Sequence, residues 1–184
     1  MSMPETGLRI RVFGDPVLRK KAPAVERINA QHRDLLSKMA QAMYAGSGVG
    51  LAAPQVGINH AMLVADIGEG LYKLINPKIL KRQGRQVNQE GCLSVPEVCI
   101  KIRRANKILV QAQDEEGQKI KIEAEGLLAC VFQHEIDHLK GKLIVDYASF
   151  WKKLKIKRKL AELKKKAQDE RVSQSEAKSC PLQL

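Results

Sequence analysis

The sequence predicts an α+β fold, in which mostly antiparallel strands surround a central helix and a basic C-terminal helix follows. Three observations carry this prediction: an amphipathic helix comes first, short alternating segments follow it, and two helical segments end the chain. The 184 residues suit one domain with a sizeable core. A hydrophobic content of 44% excludes a chain that is disordered throughout.

The first predicted helix covers residues 29–45. Asn29 is a suitable N-cap, because its side chain can accept a hydrogen bond from the first helical turn, and Gly46 can end the helix. Apolar residues recur at helical spacing between these ends, at Leu35, Leu36, Met39 and Met43. We therefore expect one face of this helix to be buried.

Short strands are predicted in the next part of the chain. A glycine-rich loop over residues 46–57 comes first, and alternating residues then predict strands over 61–66 and 71–76. Pro77 is expected to end the second strand, because proline removes a hydrogen bond from the ladder. A further strand is predicted over residues 99–103.

A hairpin and two helices complete the predicted elements. The hairpin strands cover residues 107–113 and 118–123, joined by the loop Asp-Glu-Glu-Gly. Helices follow over about 124–140, which Gly141 ends, and from about residue 147 towards 169.

The net charge of +12 is unevenly distributed. Residues 151–184 hold 11 basic and 4 acidic side chains, a net +7, whereas residues 1–150 hold 21 and 16, a net +5. We therefore divide the chain into a main domain (1–148), a basic helix (149–170) and a tail (171–184) that is expected to be disordered. The basic end suggests an anionic partner, and 4% aromatic residues argue against stacking on single-stranded nucleic acid.

The cellular compartment is predicted from the lack of a signal peptide and of a membrane-spanning segment. The N-terminus has no apolar run long enough for a signal peptide, and no stretch approaches a membrane span. Four cysteines in a chain of this length do not make a disulfide framework: Cys92, Cys99, Cys130 and Cys180. We expect a cytoplasmic protein.

One motif in the second helix has the spacing of a metal site. His134 and His138 lie four residues apart, so both imidazoles can reach one ion from the same helix face. Glu135, beside the first histidine, lies where it can accept a proton from water. This makes the second helix the central metal-binding helix of the predicted fold. A catalytic site of this kind normally has a third protein ligand.

Two residues compete for the third ligand position. Glu162 follows His138 on the next helix, as in a thermolysin-like protease, but its lysine-rich surroundings look solvent-facing. Cys92 lies in a turn next to Gly91, and a thiolate is the stronger ligand for a soft divalent ion. Cys92 is favoured, and Glu162 remains the alternative.

Three motifs together resemble those of peptide deformylases, in the same order. They are Gly-Val-Gly-Leu-Ala-Ala-Pro-Gln over residues 48–55, Glu-Gly-Cys-Leu-Ser over 90–94 and Gln-His-Glu-Ile-Asp-His-Leu over 133–139. The similarity extends from about Val12 to Tyr147 and is far more specific than the histidine motif alone. The resemblance implies a bacterial-type enzyme that hydrolyses the N-formyl group from the initiator methionine of newly synthesised polypeptides and releases formate.

The resemblance also implies a metal and a proton carrier. Cys92, His134 and His138 are expected to hold one divalent ion, natively Fe²⁺, which Zn²⁺, Ni²⁺ or Co²⁺ can replace in preparations. The ion lowers the pKa of water, and Glu135 is expected to act as general base and then as general acid.

Further implied residues surround the substrate. The Gln55 side-chain amide and the Leu93 backbone N–H are expected to stabilise the oxyanion. The peptide is expected to lie beside the first motif like an extra strand. The residues expected to bind it, including an apolar pocket for methionine, are Gly48, Val49, Gly50, Glu90, Gly91, Leu127 and Val131.

Cys99 departs from the pattern of some bacterial relatives, which have an arginine there that grips the main chain of the substrate. Cysteine cannot donate the same fork of hydrogen bonds. Arg103 and Arg104 lie nearby and could take this role or form salt bridges.

The basic helix carries two apolar stripes on roughly opposite sides. The first is Tyr147, Phe150, Trp151 and Leu154, and the second is Ile156, Leu160, Leu163 and Ala167. We expect the first stripe to dock on the domain and the second half to project. By resemblance to bacterial deformylases of similar plan, the basic helix is expected to contact the ribosome, and the protein is expected to be a monomer without a membrane partner.

Two other functions remain open at this point. A small zinc metalloprotease would use Glu162 in place of Cys92 and cut internal peptide bonds. A basic ribosome- or RNA-binding module would hold a structural metal, but such a site does not need Glu135 beside its ligands.

Overall fold

The fold consists of two antiparallel sheets and three α-helices in a computed structural model that describes residues 7–178 and the side chains of residues 7–170. The helices are α1 (Ala30–Ala45), α2 (Gly126–Leu139) and α3 (Phe150–Lys178). The strands are β1 (Gly50–Ala52), β2 (Met62–Ala65), β3 (Tyr72–Gln83), β4 (Gln86–Glu90), β5 (Ile100–Arg104), β6 (Lys107–Gln113) and β7 (Lys119–Glu125). All strand pairs among the described residues are antiparallel, which confirms the predicted α+β class.

The larger sheet has the strand order β1-β2-β3-β6-β7, and β4 and β5 form a separate hairpin. Helix α2 packs against this sheet through Leu128, Ala129, Phe132 and Ile136, in a core shared with the inner residues of β2, β6 and β7. Because these contacts fix α2 against the sheet, the side chains on its other face are held in defined positions. The strand β1 lies at one edge of the sheet.

Helix α1 forms as predicted. The Asn29 side chain accepts a hydrogen bond from the His32 amide at 3.2 Å, and Gly46 follows the last helical residue. Its apolar face, which includes Leu36, Met39 and Met43, is fully buried against β1 and β2. The helix therefore supports the segment that contains the first motif.

The predicted end of the second strand at Pro77 is wrong. Strand β3 continues to Gln83 and pairs with β6 on both sides of the proline. The register shifts between Ile75 and Lys78, and Asn76 has a φ of +53°. A bulge of this kind leaves the proline nitrogen outside the ladder, so that the strand can continue.

The hairpin of β6 and β7 is confirmed, with Gln113 opposite Lys119. Strands β1 and β4 were not among the predicted elements. β1 lies inside the glycine-rich segment, and β4 reads Gln-Val-Asn-Gln-Glu, which lacks the apolar alternation of a strand. Both strands are short, and their pairing partners rather than their own composition determine their conformation.

The expected docking of α3 is wrong, because the second stripe packs against the domain and most of the first stripe is exposed. Leu163 and Ala167 are buried in a cluster with Val12 and Val98, and Ile156 and Leu160 pack against the same cluster. Phe150, Trp151 and Leu154 of the first stripe are 73%, 71% and 56% exposed. The helix lies so close to the domain that a Cβ on Gly14 would fall 2.7 Å from the Lys164 Cα.

Helix α3 extends to Lys178, into the segment that was expected to form a tail, and residues 179–184, with Cys180, lie outside the described residues. The other three cysteines are free thiols. None of the described helices combines the length and the apolar character needed to cross a membrane.

Candidate active site

The two histidines of the helical motif face the same side of α2. Their rings lie 4.9 Å apart between centroids, and the two Nε2 atoms are 3.2 Å apart. His138 is buried, and His134 is half-buried. This arrangement follows from helical geometry alone, because side chains four residues apart are neighbours on one face.

Cys92 joins the two histidines from the loop between β4 and β5. Its Sγ lies 3.3 Å from His138 Nε2, and the ligand atoms of Cys92, His134 and His138 all lie within 4.8 Å of one another. The loop is held in place by buried Val95 and Val98. Glu162, the alternative third ligand, forms an exposed ion pair with Arg158 instead.

The donor set fits a divalent metal ion. One thiolate and two imidazoles suit ions of intermediate softness such as Zn²⁺ and Fe²⁺. His134 Nδ1 lies 2.8 Å from Glu90 Oε2, which leaves its Nε2 free to bind an ion. These features favour a metal over a simple buried polar cluster.

The orientation of His134 depends on a buried ionic network. Arg104 donates to both oxygens of Glu90, at 2.7 and 2.9 Å, and also donates to Asp137. The Tyr147 hydroxyl donates to the same Asp137 carboxylate at 2.7 Å. Burial opposes the charge on Glu90, but its hydrogen bonds with Arg104 and His134 lower its pKa to about 2.

Arg104, Asp137 and Tyr147 were not among the predicted site residues. From the sequence, Arg104 is expected either to hold the peptide or to form a salt bridge, and the structure contains the salt bridge. Opposite charges separated by tens of residues carry no local spacing signal. Their meeting depends on the fold, which brings the hairpin of β4 and β5 beside the end of α2.

Glu135 is 3% exposed and lines the same cavity as its neighbour His134. Its Oε2 atom has no hydrogen-bond partner among the described residues, and burial raises its pKa to about 7. A Cβ on Gly50 would fall 2.3 Å from Glu135 Oε1, so only glycine leaves room for this carboxylate. The carboxylate is thus available to a proton donor in the cavity.

Gln55 is held with its amide N–H₂ towards the candidate metal ligands. Its Oε1 accepts a hydrogen bond from the Ala52 amide at 2.8 Å, and its Nε2 lies 3.3 Å from Ser94 Oγ and 3.6 Å from Cys92 Sγ. Gln55 is also buried. These three contacts fix the orientation of the amide, so that its N–H₂ group faces Cys92 at the wall of the cavity.

The cavity has a volume of about 480 Å³ and gathers nearly all the predicted residues. Those that line it are Gly48, Val49, Gly50, Gln55, Glu90, Gly91, Cys92, Leu93, Leu127, Val131, His134 and Glu135. His138 lies behind this wall. Four lining residues were not predicted, namely Ser47, Asn88, Gln89 and Cys130, and all but Asn88 are next to a predicted residue in the sequence.

Cys130 faces Glu90 rather than the candidate metal ligands. Its thiol donates to Glu90 Oε1 at 3.3 Å, and burial raises its pKa to about 12. It therefore remains a protonated thiol at neutral pH. A fourth ligand role for Cys130 is not supported by this geometry.

Comparisons with known proteins agree on one family. Residues 8–154 match the family model described as polypeptide deformylase. A peptide deformylase of Halothermothrix orenii is 49% identical over 141 residues, 76% of this chain and 92% of the relative, and one of Thermotoga maritima is 46% identical over 156 residues, 84% and 95%. The crystal structure of a peptide deformylase from Thermus thermophilus superposes with a TM-score of 0.82 at 40% identity, covering 86% of this chain and 98% of that one.

Proposed function

The chain belongs to the peptide deformylase family, and we propose how its own residues carry out the reaction of that family. As a member, it is a hydrolase that removes the N-formyl group from the N-terminal methionine of newly synthesised polypeptides. The bond broken is a linear amide, and the products are formate and a free amino terminus. The proposal rests above all on the meeting of Cys92, His134 and His138 at the cavity that holds Glu135.

Cys92, His134 and His138 would hold one divalent metal ion, for which we propose Fe²⁺ as the native species. A bound ion of this kind acts as a Lewis acid that polarises the formyl oxygen and lowers the pKa of water. Glu90 would fix the tautomer and orientation of His134 through the 2.8 Å contact to Nδ1. Zn²⁺, Ni²⁺ or Co²⁺ would fit the same donors in a purified sample.

Glu135 would move the proton. It takes a proton from the attacking water and delivers it to the amine nitrogen as the bond to the formyl carbon breaks. Its burial and its pKa of about 7 suit both steps, because a group that titrates near neutral pH can accept and return a proton. The free Oε2 atom offers the acceptor.

Gln55 and Leu93 would stabilise the charge that develops on the formyl oxygen. The Gln55 amide is fixed by its bond from Ala52, so its N–H₂ group needs no reorientation during the reaction. The Leu93 backbone N–H follows Cys92 in the cavity wall. Each donor of this type typically contributes about 10²- to 10³-fold in rate.

The methionine side chain would enter the apolar part of the cavity. Val49, Leu127 and Val131 line it, and a volume of about 480 Å³ is large enough for a small ligand. The peptide backbone would lie along Gly48–Gly50, since β1 is an edge strand that can pair with an extended chain.

The test is formate release from formyl-Met-Ala-Ala-Ala by protein purified without oxygen, with metal analysis of the same sample. We expect about one divalent ion per chain, mainly iron, and loss of turnover after chelation. Glu135→Gln and Glu135→Ala should keep the metal and lose at least about 10²-fold in kcat. Cys92→Ala should lose the metal.

Three outcomes would contradict the proposal. Near-normal turnover by Glu135→Ala would remove the assigned proton carrier. A Cys92→Ala variant that still binds metal and cuts internal peptide bonds would favour a metalloprotease that uses Glu162. A metal-bearing protein that binds RNA but releases no formate would favour a binding module.

We propose the ribosome as a second partner, reached through the basic helix. In α3 the apolar side that packs on the domain leaves Lys157, Lys165 and Lys166 exposed to solvent. Ribosomal RNA is a polyanion, and its phosphates attract such a surface in a salt-dependent way. The docked stripe would hold the helix at a fixed angle to the catalytic cavity.

Charge reversal tests this partner better than truncation, because removing α3 would expose the core around Leu163. Replacing Lys157, Lys165 and Lys166 with glutamate should weaken ribosome binding and leave turnover of free peptides unchanged. Three exposed lysines elsewhere, Lys20, Lys81 and Lys119, provide the matched control. Equal losses in both triple variants would contradict the assignment to α3.

We propose that the protein works as a monomer in the cytoplasm. The cavity is lined by residues of a single chain, so that a second copy is not needed to complete it. The substrate leaves the ribosome in the cytoplasm. Light scattering on the purified protein should give the mass of one chain, and a larger mass at low concentration would contradict the monomer.

A further inference from the structure

A second cavity opens beside the catalytic one. It has a volume of about 360 Å³ and lies between the start of β5 and the start of α3. Gln89 lines both cavities. Gly91 of the first cavity and Cys99 of the second also face each other, since a Cβ on Gly91 would lie 3.9 Å from the Cys99 Sγ. The two cavities are therefore neighbours along one surface.

The register of the small hairpin determines which side chains face this surface. Gln89 pairs with Lys101, and both are exposed, whereas Glu90 and Ile100 of the next pair are buried. Neighbouring residues of a strand point to opposite faces. A chain that leaves the catalytic cavity past Gln89 therefore meets Lys101.

The second cavity carries positive charge that no side chain of residues 7–170 neutralises. Lys101 and Lys152 both line it, and neither has an ion pair among the side chains of residues 7–170. None of its lining residues is acidic. Glu90, which follows Gln89 in the sequence, and Asp137, which accepts a hydrogen bond from Tyr147, are already bound to Arg104.

We propose that this second cavity binds an acidic side chain of the substrate, downstream of the formylated methionine. The inference rests on the proposed function and adds a preference to it. Lys101 contributes from β5 and half-buried Lys152 from α3, so that a carboxylate between them would contact two cations from different elements. Cys99 also lines this cavity and is exposed to solvent.

The preference should be confined to particular positions. An extended peptide advances about 3.3–3.6 Å per residue, and its alternate side chains point the same way. An acidic side chain should therefore improve binding at one position among residues 2–5 of the substrate, or at two positions separated by one residue. Because the contact is remote from the reacting bond, it should lower KM and leave kcat nearly unchanged.

The experiment moves a single glutamate through positions 2–5 of a formyl-Met peptide that is otherwise alanine, with glutamine at the same position as the reference. We expect KM to fall about three- to tenfold at the favoured position at low salt, and the difference to vanish near 0.5 M salt. Lys101→Gln and Lys152→Gln should each reduce the ratio of the two KM values towards one. Lys101→Glu should reverse the preference towards a lysine-containing peptide.

Lys121→Gln is the matched control, because Lys121 is exposed on β7 and lines neither cavity. Its KM ratio should equal that of the wild type. If the alanine peptide is turned over but no position distinguishes glutamate from glutamine, this inference is overturned and the proposed function stands. If no formylated peptide releases formate, both are overturned.

Discussion

Replacing Gly50 with alanine tests whether the backbone of β1 sets the position of the proposed proton carrier. A Cβ on residue 50 would fall 2.3 Å from Glu135 Oε1 and 2.9 Å from Val131 Cγ1. Ordinary contacts begin at 3.4 Å, so the carboxylate must retreat by about 1 Å. A misplacement of this size costs on the order of 10²-fold in rate, about 2.7 kcal/mol.

The assay is kcat for formate release, with metal content and thermal unfolding measured on the same sample. We expect Gly50→Ala to keep its metal and its fold while turnover falls by about 10²-fold. Gly48→Ala is the matched control two residues earlier. Its Cβ would meet the flexible end of Leu93, 3.0 Å from Cδ1, and that end can move aside. We therefore expect a loss below about fivefold in this control.

A second substitution isolates the clash with the carboxylate. Glu135→Asp shortens the side chain by one methylene, so adding Gly50→Ala to that variant should slow it no further. The reasoning would be refuted if Gly50→Ala turned over within about threefold of the wild type, or if Gly50→Ala and Gly48→Ala lost activity equally.

Three other predictions address the metal, the last helix and the buried acid. Glu90→Gln should lower metal affinity about 10- to 100-fold in a chelator competition, because His134 loses its carboxylate partner, and unchanged affinity would contradict that role. In urea unfolding, Leu163→Ala should lower the free energy of unfolding by about 2–5 kcal/mol, and Leu154→Ala should lower it by less than about 0.5 kcal/mol. The reason is that Leu163 is 5% exposed and Leu154 is 56% exposed. Equal losses in the two variants would contradict the docking of α3. In metal-free protein, the native state keeps the Glu135 proton up to about pH 7, whereas the unfolded chain loses it near 4.5, so wild-type stability should fall between these values. Glu135→Gln should lack that fall, so it should be about 3 kcal/mol more stable than the wild type at pH 8 but not at pH 4. Parallel curves of stability against pH for the two proteins would contradict the raised pKa of Glu135.

Much of the candidate site could be predicted because its residues are linked by short-range geometry. His134 and His138 lie on one helix face whatever the rest of the fold does, and Asn29 caps α1 through its own first turn. Cys92 was a weaker choice from spacing alone, with Glu162 as its rival. The order of three motifs decided between them, and the three ligand atoms do lie together.

The supporting network could not be predicted in the same way. Glu90, Arg104 and Asp137 come from three different elements, and their charges meet only when the fold brings the hairpin of β4 and β5 beside the end of α2. The same is true of β4, whose polar sequence becomes a strand because β5 pairs with it. Long-range pairing overrides weak local preference.

Helix α3 separates most clearly what the sequence determined from what the tertiary structure decided. Its periodicity showed two apolar stripes, and its composition placed more than half of the net charge at this end of the chain, but neither could say which stripe is buried. Which stripe is buried depends on the surface against which the helix packs. There Val12 and Val98 provide apolar contacts, and Gly14 allows a close approach. Local spacing encodes which side chains share a face, whereas burial of that face depends on a complementary surface that distant parts of the chain must build.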